Sequence, residues 1–127
     1  RLDGIAKTLP AVIRAQKITQ TAAKVGFDWE NTAGVLKKVE EELAELKGAI
    51  QTRRQECIAE EMGDLLFSLV NLCRFLDVDA DATLRGASHK FIRRFAYIEE
   101  ELLKVGKKPA TTTLAEMDRL WEEAKLK

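Results

Sequence analysis

Histidine, cysteine and proline are scarce in this sequence, which has one His, two Cys and two Pro among its 127 residues. A single histidine, His89, excludes a metal site built from several imidazoles, and no cysteine spacing matches a zinc site. Cys57 and Cys73 fall within one predicted helix, where they lie ~24 Å apart. A disulfide between them is therefore excluded, and both are expected to be free thiols in a reducing cytoplasm.

An excess of charge and a long hydrophobic run are also absent. Because 21 basic residues balance 21 acidic ones, the chain has no long-range attraction for nucleic acid or anionic membrane, and we expect it to bind neither. No apolar run is long enough to cross a bilayer, and the first residues do not form a signal peptide. Since the chain begins with Arg1 rather than Met, we expect residues 1–127 to be a single domain of a longer cytoplasmic protein.

Helix-forming residues are what the sequence has in quantity. Hydrophobic residues make up 46% of the chain and glycine is limited to seven, a composition that favours long helices around a core. No alternating pattern indicates a strand, so the predicted fold class is all-α. The predicted helices run from a Thr8 cap with Pro10 in the first turn to Gly26, from Asn31 or Thr32 to Gln51, from Gln55 to Leu76, from an Asp79 cap to Val105, and from a Thr113–Glu116 capping box through Trp121.

Two predicted helices carry apolar stripes at helical spacing. The third helix is apolar on nearly every side from Leu65 onward, because Phe67 and Val70 lie off its stripe. Such a helix is either central in its bundle or buried in an oligomer. The stripes are Val35, Val39, Leu43, Leu46 and Ile50 in the second helix, and Ile58, Met62, Leu65, Leu69, Leu72 and Leu76 in the third.

Two acidic segments carry the candidate chemistry. Glu42 and Glu45 lie in the second predicted helix, and Glu61 and Asp64 lie in the third. Each pair is spaced by three residues, so its two side chains share one helix face. At ~100° per residue, both pairs flank the apolar stripe of their helix on the same side. If the two helices pack antiparallel through those stripes, the four carboxylates converge along one seam.

Converging carboxylates repel one another and lose hydration, which is unfavourable unless cations neutralise them. Magnesium suits such a site because it prefers oxygen ligands and shares its coordination shell with waters and substrate phosphates. One or two ions would orient a polyphosphate and stabilise developing charge. A single acidic pair more often marks a solvated helix face supported by Lys or Arg, so a solvated face and a metal site compete as interpretations.

In one-letter form the two segments read EExxE at residues 41–45 and EExxD at residues 60–64. This signature resembles that of the MazG family of nucleoside triphosphate pyrophosphohydrolases. Three further segments are similar to MazG sequences: Lys24-Val25-Gly26-Phe27-Asp28-Trp29, Val70-Asn71-Leu72 and Lys90-Phe91-x-x-Arg94-Phe95. The resemblance covers nearly the whole chain and looks closest to the second, C-terminal domain of the tandem bacterial protein.

The resemblance implies an all-α fold, a four-helix bundle with a short C-terminal helix, that assembles as a dimer. It implies magnesium-dependent hydrolysis of nucleoside triphosphates to nucleoside monophosphates and pyrophosphate, with manganese as a substitute ion. The metal ligands carry over as Glu42, Glu45, Glu61 and Asp64. Glu41 completes the candidate catalytic set as a base that takes a proton from water, although an ion that acidifies water needs no dedicated base.

Four further residues are candidates for substrate binding. Asn71 lies two helical turns beyond the second acidic segment, where it binds phosphate or sugar, or is held by core neighbours. Lys90 and Arg94 are four residues apart and would repel each other, which fits phosphate binding or pairing with acids on another helix. Trp121 is the aromatic that the family resemblance places near the nucleotide base.

Two other aromatics and one alternative function belong to the same prediction. Phe27 and Trp29 are further base-stacking candidates, although packing is the commoner role for either. The motif GxxxxGK[ST] is absent, so phosphate recognition falls to metal and basic side chains rather than to a glycine-rich loop. The alternative to an enzyme is a non-catalytic nucleotide-sensing or helical dimerisation module, and the complete acidic signature argues against it.

Overall fold

A computed structural model describes all residues from Arg1 to Lys127 and contains helices without any strand, which confirms the all-α prediction. Single 3₁₀ turns at Leu2–Gly4 and Pro109–Thr111 accompany the main helices. No helix combines the length and the apolar character that a membrane crossing needs. The five helices are α1 (Ala11–Lys24), α2 (Thr32–Thr52), α3 (Gln55–Phe75), α4 (Ala80–Lys104) and α5 (Leu114–Ala124).

Most of the predicted helix starts are confirmed by side-chain caps. Asp79 accepts a hydrogen bond from the Ala82 amide at 3.0 Å. Thr113 accepts one from the Glu116 amide at 3.2 Å, although the Glu116 carboxylate pairs with Arg119 rather than completing the capping box. Asn31 caps α2 in the same way. Each cap satisfies an amide at a helix N-terminus that has no partner within the helix.

The start of α1 was predicted wrongly. Thr8 is not its cap: Pro10 is the capping residue, without a side-chain hydrogen bond, and the helix begins at Ala11. A proline disfavours helical conformation in the residue before it, so Leu9 cannot belong to the first turn. Helical structure therefore starts after the proline ring instead of including it.

The chain divides into two compact units, Arg1–Thr83 and Leu84–Lys127. In the first unit α3 packs on α2 and on α1. The connection between α2 and α3 is short because Arg53 adopts a left-handed conformation, with φ of 59°, directly after α2. α2 and α3 are therefore neighbours in a helical hairpin, which places the two acidic segments on facing helices.

The buried face of α2 differs from the predicted stripe. Its buried residues are Val35, Glu42, Leu46 and Ala49, whereas Leu43 and Ile50 of the predicted stripe are exposed. The face that packs inward is therefore rotated by about 50° toward Glu42. The predicted stripe combined residues from two faces of α2. One face packs against α3. The other face is exposed and carries Leu43 and Ile50, together with Leu36, at seven-residue spacing.

α3 is surrounded by protein on only part of its circumference. It contacts α1 and α2, yet Met62, Leu66, Phe67, Leu69 and Leu76 are exposed, and Leu66 reaches 57% exposure. The sequence predicted that this helix is either central in its bundle or buried in an oligomer. Packing within one chain accounts for only some of its apolar positions. The exposed positions form an apolar surface of the kind that marks an interaction site.

The second unit has its own small core. Ile98 and Leu102 of α4 and Leu120 of α5 are buried, and Phe95, Met117 and Trp121 pack against them. The Tyr97 hydroxyl donates a hydrogen bond to Glu123 at 3.0 Å. Burial, together with that carboxylate, raises the pKa of Tyr97 to about 12, so the hydroxyl stays protonated and keeps α4 joined to α5.

Candidate metal centre

Three of the four predicted metal ligands converge. One carboxylate oxygen from each of Glu42, Glu61 and Asp64 lies within 4.8 Å of the other two. Glu42 is on the buried face of α2, with 9% exposure, while Glu61 and Asp64 are one turn apart on α3. The helical hairpin thus brings together acids that are separated by about twenty residues of sequence.

The electrostatics of this cluster favour a cation. Loss of hydration raises the pKa of Glu61, and the negative charges of Glu45 and Asp64 raise it further. Lys38 is the cation that pairs directly with the cluster, at 2.8 Å from Glu42, and this hydrogen bond raises the lysine pKa. One lysine does not balance three converging carboxylates. The set of hard oxygen donors fits a divalent ion such as magnesium.

Two predicted residues lie outside the cluster. Glu45 is exposed and is not among the three converging carboxylates, but it contributes the largest neighbouring charge to the raised pKa of Glu61. Glu45 is therefore beside the cluster rather than within it. Glu41 is exposed, on a different side of α2 from buried Glu42. At ~100° per residue, Glu45 lies about 60° and Glu41 about 100° around α2 from Glu42, so neither side chain shares the direction of Glu42.

A cavity of about 350 Å³ opens beside the carboxylates. It includes two residues, Phe67 and Ser68, that the sequence analysis did not assign to the site. They follow Asp64 by three and four residues, so the same-face rule that selected Asn71 also predicts them. The lining residues are Trp29, Lys38, Glu42, Asp64, Phe67, Ser68 and Asn71.

Asn71 is held in one orientation by Arg74. Its Oδ1 accepts hydrogen bonds from Arg74 Nε at 3.0 Å and from Arg74 Nη2 at 2.8 Å. Arg74 also donates to both carboxylate oxygens of Asp28, at 3.0 and 2.7 Å. Because arginine only donates, the amide oxygen of Asn71 must face it, which leaves the Nδ2 group as a free donor. Asn71 thus presents an N–H donor from a fixed position.

Replacing Asp28 with Asn should destabilise the protein at pH 7 by up to about 1 kcal/mol, because solvent screens an ion pair whose carboxylate is exposed. Hydrogen bonds from Arg74 lower the pKa of Asp28 below its usual 3.8. The wild-type advantage is therefore present above pH 3.8 and is lost as the pH falls through the lower folded-state pKa. Urea unfolding of both proteins from pH 7 downward measures this, and a deficit that stays constant in acid would contradict it.

The remaining predicted binding residues belong to the second unit. Lys90 and Arg94 line a cavity of about 490 Å³ that also receives Arg93, Lys125 and Lys127, among other residues. Their cations gather on one side of this unit, as phosphate binding requires. The Arg94 guanidinium lies over the Trp121 ring at 5.3 Å. Trp121 also contacts Phe91, with ring centroids 5.2 Å apart, so it has a packing role in this unit.

Helices that bring carboxylates together, as α2 and α3 do here, are typical of the class of helical proteins whose metal sites are made of acids. Residues 30–99 match the model of the MazG nucleotide pyrophosphohydrolase domain, which covers more than half of the chain. The chain therefore belongs to the MazG family. The family match includes parts of both compact units.

Curated relatives resemble almost the whole chain. A Thermotoga maritima protein named nucleoside triphosphate pyrophosphohydrolase/pyrophosphatase MazG is 46% identical over 125 residues, covering 98% of this chain and 48% of the relative. The Escherichia coli nucleoside triphosphate pyrophosphohydrolase is 41% identical over 128 residues, with 98% and 48% coverage. The uncharacterized protein YabN of Bacillus subtilis is 42% identical over 125 residues, covering 98% of this chain and 26% of the relative. The chain thus spans about half the length of the first two relatives and about a quarter of the length of the third.

Proposed function

We propose that this protein hydrolyses nucleoside triphosphates to nucleoside monophosphates and pyrophosphate with the help of magnesium, in sanitation or regulation of the nucleotide pool. The observation that carries the proposal is the convergence of Glu42, Glu61 and Asp64 within 4.8 Å in a member of the MazG family. The names of the Thermotoga and Escherichia relatives support the same reaction. We further propose that residues 1–127 act as one catalytic domain.

The acidic side chains have separate roles in this proposal. Glu42, Glu61 and Asp64 would hold the ion, and Glu45, beside them, would complete its ligands. When bound, the ion would polarise phosphoryl oxygens and lower the pKa of water. Glu41 is our candidate for accepting the proton of the attacking water. The ion would add to the positive charge that Lys38 supplies to Glu42.

Basic and polar side chains would position the substrate. Lys90 and Arg94 would bind the phosphates, since their cavity gathers several cations. Asn71 would donate from its free Nδ2 group to an oxygen of the substrate, because Arg74 fixes its amide oxygen. Trp121 is our candidate for contacting the base.

We also propose a cytoplasmic location. Cys57 and Cys73 are free thiols, which suits a reducing compartment.

The reaction is tested by incubating the full-length protein with each ribo- and deoxynucleoside triphosphate and magnesium, and by measuring pyrophosphate separately from phosphate. Stoichiometric pyrophosphate and monophosphate would support the proposal. Release of phosphate and nucleoside diphosphate would contradict it. Binding of nucleotides without any hydrolysis would indicate the non-catalytic sensing module instead.

We also propose that two copies of the chain form a dimer through the exposed apolar faces of α2 and α3. Replacing Leu66 with Lys is expected to raise the dimer dissociation constant at least about thirtyfold, the equivalent of losing a 2 kcal/mol hot spot. Sedimentation velocity at several concentrations measures this change. Leu126→Lys, which alters an exposed leucine beyond the end of α5, is the matched control. Equal dissociation constants in both variants would exclude this face from the interface.

A further inference from the structure

Lys38 pairs with the carboxylate cluster in a way that differs from an ordinary surface ion pair. Its Nζ lies 2.8 Å from Glu42 Oε1, one turn along α2. The side chain of Glu42 is 12% exposed and that of Lys38 is 43% exposed, so the ammonium reaches from solvent to a nearly buried carboxylate. The hydrogen bond with Glu42 raises the pKa of Lys38 most, and the charge of Asp64 contributes to the same effect. The ammonium therefore interacts with acids of both α2 and α3.

The charge balance of the cluster depends on this lysine. Three carboxylates converge, and Lys38 leaves them with two uncompensated negative charges, which one divalent ion neutralises. Lys38 lines the same cavity as Glu42 and Asp64, so its charge acts on any cation that enters there. Solvent screens charges poorly at distances shorter than the Debye length of ~8 Å. Lys38 thus stabilises the acids when no ion is bound, and it repels a divalent ion that approaches them.

The ion pair does not block Glu42 as a ligand. Lys38 occupies one site on Oε1, whereas an ionised carboxylate has about four lone-pair sites on its two oxygens. Glu42 is therefore able to bind an ion while it accepts the hydrogen bond from Lys38. The lysine and the ion oppose each other through their charges and not through competition for a single oxygen.

We propose that Lys38 is an internal counter-ion that stabilises the ion-free cluster and weakens its affinity for free magnesium, so that the ion binds tightly only together with a triphosphate; this rests on the function proposed above. The phosphates are polyanions, so they offset the charge of Lys38 when they bind beside the ion. Magnesium and nucleotide then raise the affinity for each other by the same factor. The site thereby selects the magnesium–nucleotide complex over either component alone.

The affinity for magnesium alone tests the role of Lys38. Lys38→Met keeps a long side chain and removes the charge. In titration calorimetry of the chelator-treated, full-length protein, this variant should bind magnesium with a dissociation constant at least about fivefold lower than that of the wild type, the weak end of coupling between two sites. Lys38→Arg, which keeps the charge, should bind magnesium like the wild type. Lys37→Met is the matched control, because Lys37 is the next residue of α2, is exposed and does not line the cavity.

Melting temperatures distinguish an internal counter-ion from an ion pair that merely stabilises α2. Without divalent ions, Lys38→Met should melt at a lower temperature than the wild type, because its carboxylates have lost their counter-ion. Saturating magnesium should then raise the melting temperature of the variant by more than it raises that of the wild type. An equal deficit with and without magnesium, together with an unchanged dissociation constant, would overturn the proposal. Lys38→Gln repeats the measurement with a polar side chain, and circular dichroism checks that each variant keeps its helicity.

The coupling between ion and nucleotide is measured with an α,β-methylene triphosphate, which cannot be cleaved between its α- and β-phosphates. The analogue is made from the nucleotide that the wild type hydrolyses fastest. It should lower the magnesium dissociation constant of the wild type by a larger factor than that of Lys38→Met. Equal factors in the two proteins would overturn the proposal.

Failure of this proposal is distinguishable from failure of the proposed function. Pyrophosphate release by the wild type, with equal magnesium dissociation constants in the wild type, Lys38→Met and Lys37→Met, would overturn the role of Lys38 and leave the enzymatic function standing. Absence of pyrophosphate release from every nucleotide in the wild type would instead refute the enzymatic function.

Discussion

Replacing Glu42 with Gln is expected to reduce pyrophosphate release at least about a hundredfold, the lower end of what the loss of one preorganised electrostatic group costs an enzyme. Gln keeps the size of the side chain but removes its charge, so an ion at Glu61 and Asp64 loses a charged ligand. The substitution also removes the 2.8 Å ion pair with Lys38. Initial rates of pyrophosphate release at saturating magnesium measure the effect.

Glu40→Gln is the matched control for this experiment. Glu40 lies on the same helix and is exposed, and it is not one of the converging carboxylates. Its neutralisation should change the rate little. Full activity in Glu42→Gln, or an equal loss in both variants, would mean that the converging carboxylates do not form the catalytic metal site. Circular dichroism must show the same helicity in both variants.

Removal of divalent ions is expected to abolish turnover and to lower the stability of the protein. An ion that binds only the folded state stabilises it by about 2.7 kcal/mol when present at a hundred times its dissociation constant. The wild type should therefore lose activity and melt at a lower temperature after treatment with a chelator, and magnesium should restore both. Activity that survives exhaustive chelation would contradict the proposed metal site.

Glu61→Gln provides the internal control for the stability effect. Burial and the neighbouring charges of Glu45 and Asp64 raise the pKa of Glu61, so its ionised form is disfavoured in the folded protein. Without divalent ions, the Gln variant should melt at a higher temperature than the wild type, because one repelling charge is gone. With magnesium it should show little further stabilisation. Scanning calorimetry of both proteins, with and without magnesium, measures both differences.

Local features of the fold were predictable because their causes are local. The cap at Asp79 and the α3 start at Gln55 follow from residues within one turn of each helix end. Thr8 failed as a cap because the neighbouring proline, rather than the hydroxyl, decides where α1 begins. The two helix-spaced acidic pairs likewise identified Glu42, Glu61 and Asp64 as neighbours.

The parts of the site that depend on packing were less accessible. The predicted apolar stripe of α2 differs in direction from the observed buried face, because exposed Leu43 and Ile50 are as hydrophobic as buried Leu46. A hydrophobicity pattern does not distinguish a face that packs within one chain from a face left for another partner. Glu45 lies beside the cluster rather than within it, because a shared helix face does not ensure that both of its carboxylates reach the same point on a neighbouring helix.

The sequence by itself determined the helical class, the positions of most helix ends and the common helix face of Glu61 and Asp64, since spacing of three and four residues fixes such a face. Tertiary structure alone decided that Asp28 reaches across forty-six residues to Arg74, and that Arg74 in turn orients Asn71. It also decided that Trp29 and Phe67 line the same cavity as Glu42 and Asp64. Contacts between distant segments depend on how the helices and the loop pack, and no local spacing encodes that geometry.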